Sequence, residues 1–171
     1  MLTLLASAVL GFILQHPTAS NVQERLSPIA FLAGYCWTGA FTNGSTDTHC
    51  FQPVYGGQFI RDVHEVKDPK TGKVVYGGET MYFWDSAEAR IRFIYWNSVG
   101  GVSEGTVLRE GDRLTFAERH ADAGRAQQMR NFWMQEGADQ YSVTTQRLKD
   151  GVWETSVAMT LRKLGQSRKL P

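Results

Sequence analysis

The chain has 171 residues, of which 42% are hydrophobic, 12% aromatic and 20% charged, and its 18 Lys and Arg nearly balance 17 Asp and Glu. That length suits one domain with a real core and excludes two full domains. The formal net charge of +1 argues against a general nucleic-acid binder, whose usual footprint is a basic excess. Gly 17 against Pro 5, together with the aromatics, points to a strand-and-turn protein and not to a helical bundle.

Leu2 to Leu14 form an uncharged apolar run, too short for a membrane span of about 20 residues. It fits the apolar region of a secretory signal over residues 1–20, with small residues near Ser20 for cleavage, although the n-region lacks Lys and Arg. The alternative is a buried N-terminal helix. Export predicts a periplasmic or secreted chain with no transmembrane segment once the signal is removed.

Residues 21–34 read as a short opening segment. Ser27 suits an N-cap, Pro28 the first helical position and Gly34 a stop, with Ile29, Phe31 and Leu32 as the buried face. Next come the two cysteines, Cys36 and Cys50, either side of Asn43-Gly44, a hairpin signal. A three-residue loop Thr42–Gly44 pairs Phe41 with Ser45 and sets Cys36 opposite Cys50. A two-residue loop sets Cys36 opposite Phe51. A cross-strand disulfide therefore selects the first turn, and an even cysteine count agrees with export. The rival, a metal or redox pair, has the wrong spacing for Cys-x-x-Cys.

From there to residue 163 no helical periodicity stands out. Short alternating segments are separated by explicit turns, which predicts ten strands near 35–42, 47–54, 57–67, 74–84, 90–97, 102–109, 112–120, 126–134, 140–149 and 152–163. The connections are only a few residues long, so successive strands should be antiparallel neighbours. Closure into a single up-and-down β-barrel over 35–163 removes both open edges. Residues 164–171 read as a flexible tail.

Alternation assigns several faces. Trp153, Val157, Met159 and Leu161 read as inward, as do Tyr141 and Val143, and Leu114 and Phe116. Ile91, Phe93 and Tyr95 share a face, and Trp37 shares one with Gly39 and Phe41. The faces of 79–84 and 126–134 stay open. Glu104 is in phase with Val102 and Leu108, and Glu118 and His120 with Leu114 and Phe116. Arg61, Glu79 and Arg130 are further inward candidates. Either these charges sit at the barrel rims, or they anchor a ligand in a partly wet interior. The candidate ligand-binding residues are Trp37, Arg61, Glu79, Tyr95, Glu104 and Arg130, and the ligand class is a small apolar or amphipathic molecule. Tyr82, Trp84, Ile94 and Trp96 form a possible outer patch, read either as a homodimer face or as a surface covered by the N-terminal segment.

Phe31-Leu-Ala-Gly34 followed by Trp37-Thr-Gly39 resembles the opening of calycin-like barrels, the superfamily of lipocalins, fatty-acid-binding proteins and nitrobindin. Gly56-Gly57-Gln-Phe59, His64-Glu65, Gly78-Glu79-Thr80, Tyr82-Phe-Trp-Asp85 and Tyr95-Trp-Asn97 resemble one bacterial branch, an exported domain-of-unknown-function family with a Cys pair. The resemblance implies an all-β, calycin-like barrel of about ten strands, closed at one end by a short helix. Nitrobindin-like relatives bind haem through a His late in the chain. The histidines here are His16, His49, His64 and His120, none in the last two strands, so no cofactor is expected; ligation of haem by His64 or His120 is the alternative. No metal-binding, nucleophile-elbow or phosphate-loop motif is present, and no catalytic residue is assigned. An enzyme built on Glu104, Glu118 and His120 ranks behind a binding protein or an envelope interaction module.

Overall fold

The computed structural model describes residues 22–122 and 125–166, and the side chains of these residues outside 118–127. The expected signal at 1–20, the turn at 123–124 and residues 167–171 lie outside the described residues, as do the side chains of Glu118 and His120.

Ten antiparallel strands follow one another: β1 (Tyr35–Ala40), β2 (Thr46–Val54), β3 (Phe59–Lys67), β4 (Val74–Asp85), β5 (Arg90–Asn97), β6 (Val102–Glu110), β7 (Arg113–Asp122), β8 (Arg125–Gln135), β9 (Gln140–Lys149) and β10 (Val152–Gln166). Each pairs with its sequence neighbours, and β1 pairs with β10 to close the barrel. Closure leaves no unpaired edge strand among the described residues. β10 runs past residue 163, because Gly165 and Gln166 pair with Cys36 and Tyr35. No helix among the described residues is long and apolar enough to cross a membrane.

The first hairpin takes the three-residue turn. Phe41 N–H donates to Ser45 O at 2.8 Å, and Gly44 adopts φ 85°, a conformation open to glycine. Cys36 therefore pairs with Cys50, and the two form a disulfide.

The opening segment differs from expectation. It is a 3-10 helix over Glu24–Ile29 with Pro28 inside it, followed by further turns of the i→i+3 kind. This tight coil aims Leu26, Ile29, Leu32 and Ala33 into the end of the barrel, where all four are buried. Arg109 of β6 fastens it by donating to Pro28 O at 2.7 Å. Trp37 packs against this plug through Phe31 and Tyr141 and donates its indole N–H to Leu32 O at 3.3 Å.

Two face assignments are corrected. On β6 the inward residues are Ser103 and Val107, at 2% and 6% exposure, while Val102 and Leu108 are over half exposed. Gly105 explains the phase: it points inward because the Phe93 ring of β5 lies over it. On β10 a bulge between Thr155 and Val157 reverses the alternation. Val157, Met159 and Leu161 line the interior, whereas Trp153 lies outside under the Arg130 guanidinium, 4.1 Å away. The open faces also resolve. Thr80 and Tyr82 point in on β4, and Asn131 and Trp133 on β8.

Candidate functional site

The interior divides along its axis. Beside the plug it is filled by Trp37, Phe51, Ile60, Tyr141 and Leu161, all at 1% exposure or less. Beyond them lies a cavity of about 330 Å³, which reaches Phe41, Val66 and Tyr76 at the end carrying the β1–β2 and β3–β4 hairpins. That volume is at the small end of the range for small-molecule sites. Tyr82, Phe93, Phe116, Trp133 and Tyr141 supply much of its wall, with ring centroids 4.4 to 6.3 Å apart between contacting pairs.

One side of the cavity is polar and comes from β2 and β3. Asp47 and His49 are two apart on β2, as are Asp62 and His64 on β3, so each pair shares the inward face. His49 lies opposite His64 in the ladder, and the two rings stack at 4.7 Å. His49 Nδ1 donates to Asp62 Oδ2 at 2.8 Å, and its Nε2 donates to Asp47 Oδ2 at 3.3 Å. His64 Nδ1 donates to Asp47 Oδ1 at 3.0 Å, and its Nε2 lies 3.1 Å from the Tyr95 hydroxyl. Tyr95 in turn meets the Tyr76 hydroxyl at 2.8 Å.

This wiring sets the charges. Burial pushes the His49 imidazole down, but the charge of Asp62 and the hydrogen bonds to Asp47 and Asp62 outweigh it and raise it to about 10. Burial pushes the Asp47 carboxyl up, yet the hydrogen bonds from His49 and His64 hold it well below the usual carboxylate range. The Tyr95 phenol is pushed up by burial and by its bond to Tyr76. Burial, then the charge of Asp62, does the same to Tyr141. Two polar atoms here, Asp62 Oδ1 and the Tyr141 hydroxyl, are buried without a hydrogen-bond partner among the described residues. Such atoms are uncommon in native interiors and mark unused binding capacity.

Of the six residues picked from sequence, Tyr95 lines the cavity. Trp37 faces inward but is buried in the plug layer beneath it. Arg61, Glu79, Glu104 and Arg130 all lie on the outer face, because their strands turn Asp62, Thr80, Ser103 and Asn131 inward. Arg61 and Glu79 pair with each other at 2.8 Å. Glu104 pairs with Arg92 at 3.2 Å and shares an outer groove with Arg130, Phe132 and Trp153. The outer patch shrinks as well: Tyr82 is interior, Trp84 packs against the core under Arg25, and Ile94 and Trp96 stay 37% and 40% exposed.

Sequence reading named His64 only as an alternative haem ligand and missed Asp47, His49 and Asp62. The available signal was the repeat Asp47-Thr-His49 and Asp62-Val-His64 on two strands expected to be neighbours.

No protein-family model matches the chain, and no curated protein matches it in sequence. Among solved structures, the chain is similar in fold to that of Rv2717c from M. tuberculosis, with a TM-score of 0.61 and 14% identity over 83% of this chain and 98% of that one. This likeness, with the closed ten-stranded barrel, establishes the fold as an all-β, closed antiparallel barrel.

Proposed function

We propose that this chain is an exported β-barrel that binds a small, mostly apolar molecule, with the polar end of the ligand held by Asp62, His64 and Tyr95. The observation that carries the reading is the aromatic-walled cavity of about 330 Å³ with Asp62 Oδ1 and the Tyr141 hydroxyl, both without a partner among the described residues, at its side. Apolar walls supply affinity and a few fixed polar groups supply orientation. The Cys36–Cys50 disulfide supports an oxidising compartment. The calycin-like opening at Phe31–Gly39 is in keeping with this reading.

Native mass spectrometry of the purified protein should detect a co-purifying molecule. Trp133 lies in the wall, so an amphiphilic probe such as anilinonaphthalene sulfonate should quench its fluorescence. Val143→Trp, which fills the cavity from β9, should abolish both signals. A native-like Val143→Trp protein that binds as the parent does would refute the reading.

A second reading rests on the exposed Ile94 and Trp96, next to Val102 in the ladder. It makes the barrel an envelope interaction module, with self-association lost in Trp96→Lys. An unchanged sedimentation profile would count against it.

A further inference from the structure

We propose that Asp47, His49 and His64 form a binding site for a divalent transition metal of the zinc class, with one coordination position left for an exogenous ligand in the cavity. The inference does not depend on an organic molecule occupying the barrel.

The donor geometry comes first. One donor atom from each of the three residues lies within 4.8 Å of the other two. Asp47 already stands 3.3 Å from His49 Nε2 and 3.0 Å from His64 Nδ1. In a tetrahedral site with bonds of about 2.0–2.1 Å, ligand atoms are about 3.3 Å apart. The two imidazoles now meet different oxygens of Asp47, and an ion would replace these hydrogen bonds by drawing both nitrogens toward one carboxylate. Both histidines sit on paired strands, and because an imidazole lone pair lies in its ring plane, one of the two stacked rings must turn about its side-chain bonds to face the ion.

The far side of each imidazole is equally informative. A metal-bound histidine almost always donates its other ring N–H to a carboxylate, carbonyl or similar acceptor, which fixes the tautomer. His49 bound through Nε2 would donate Nδ1–H to Asp62 Oδ2, already at 2.8 Å. His64 bound through Nδ1 would donate Nε2–H to the Tyr95 hydroxyl at 3.1 Å, which would in turn donate its own hydrogen bond to the Tyr76 hydroxyl. Both supporting partners are thus in place. Two carboxylates, Asp47 and Asp62, also balance the charge of a divalent ion.

A third observation points to a ligand independently. Asp62 is 2% exposed, lines the cavity, and keeps Oδ1 without a partner among the described residues. That oxygen can accept from a water or hydroxylated ligand held on the ion. Two imidazoles and one carboxylate with an open position is the ligand set of reactive rather than purely structural zinc sites, and it also suits Co²⁺ or Fe²⁺.

The test uses the full chain, stripped with a chelator and titrated with Zn²⁺ alone by calorimetry and with Co²⁺ alone by visible absorption. We expect one ion per chain and an intense four-coordinate Co²⁺ spectrum. Asp62→Asn, which leaves all three ligands, should weaken binding about 10- to 100-fold. His64→Gln should weaken it further and change the Co²⁺ spectrum. Glu65→Gln, on the outer face, should bind as the parent does. Near-ultraviolet circular dichroism verifies that each variant is folded. Absence of binding at millimolar Zn²⁺ in folded parent protein overturns the proposal. So does binding that survives both His64→Gln and Asp62→Asn unchanged, since the ion would then sit elsewhere.

Discussion

Gly105→Ala offers the sharpest test of the packing. An added Cβ would stand 2.8 Å from two carbons of the Phe93 ring and well inside contact distance of the Ala117 carbonyl oxygen on β7. The ring has some freedom to tilt. The oxygen has little, because it belongs to the β6–β7 ladder, where Ala117 pairs with Thr106. Overpacking costs about 1–3 kcal/mol in general. Because backbone must yield here, we expect the upper end, about 3 kcal/mol, even after the smaller gain from restricting the unfolded chain. For a domain of this size that lowers the thermal midpoint by about 6–12 °C. Urea unfolding should show a lower midpoint with an unchanged slope. Adding Phe93→Leu should relieve only the ring contact and so recover part of the loss. A Gly105→Ala protein within about 0.5 kcal/mol of the parent would refute the assigned inward phase of β6.

Other outcomes follow from the interior charges and the staple. In chelator-treated protein, His49 is raised from 6.5 to about 10, so its contribution to stability is fully present below about pH 6.5. It is lost as the pH rises toward 10, at about 1.4 kcal/mol per pH unit at most. Urea midpoints measured from pH 6 to 10 should fall steeply in the parent and more gently in His49→Gln; parallel profiles would contradict the assignment. Asp47 acts in the opposite direction, its contribution being present above about pH 3.8 and lost on acidification, which Asp47→Asn should flatten. Breaking the Cys36–Cys50 bridge by Cys→Ala at both positions should cost about 3 kcal/mol for a separation of 14 residues, read as a lower unfolding midpoint.

Strand number, antiparallel order and the register of the first hairpin were all readable from turn residues and the cysteine pair, since these features are local. Side-chain phase was harder. On β6, Val102 and Leu108 looked like a core stripe, but the site at Gly105 needs space for a ring that β5 supplies. On β10 a single bulged residue reversed the face of Trp153, and hydropathy carries no mark of a bulge. The polar cluster was obscured for a different reason. Asp47 and Asp62 look like solvent-facing strand residues, and only the pairing of His49 with His64 shows that each buried charge has a partner.

The disulfide has a consequence for how the chain folds. β1 pairs with β2 nearby in sequence and with β10 more than a hundred residues away. Pairing at that separation carries the largest loop-closure entropy in the barrel, so it should form late. A hairpin already locked through Cys36 and Cys50 presents β1 as a finished edge on which β10 can dock. Oxidation should therefore speed the closing step of refolding as well as stabilise its product. Stopped-flow refolding of oxidised and reduced chains would show this as a difference in the folding rate.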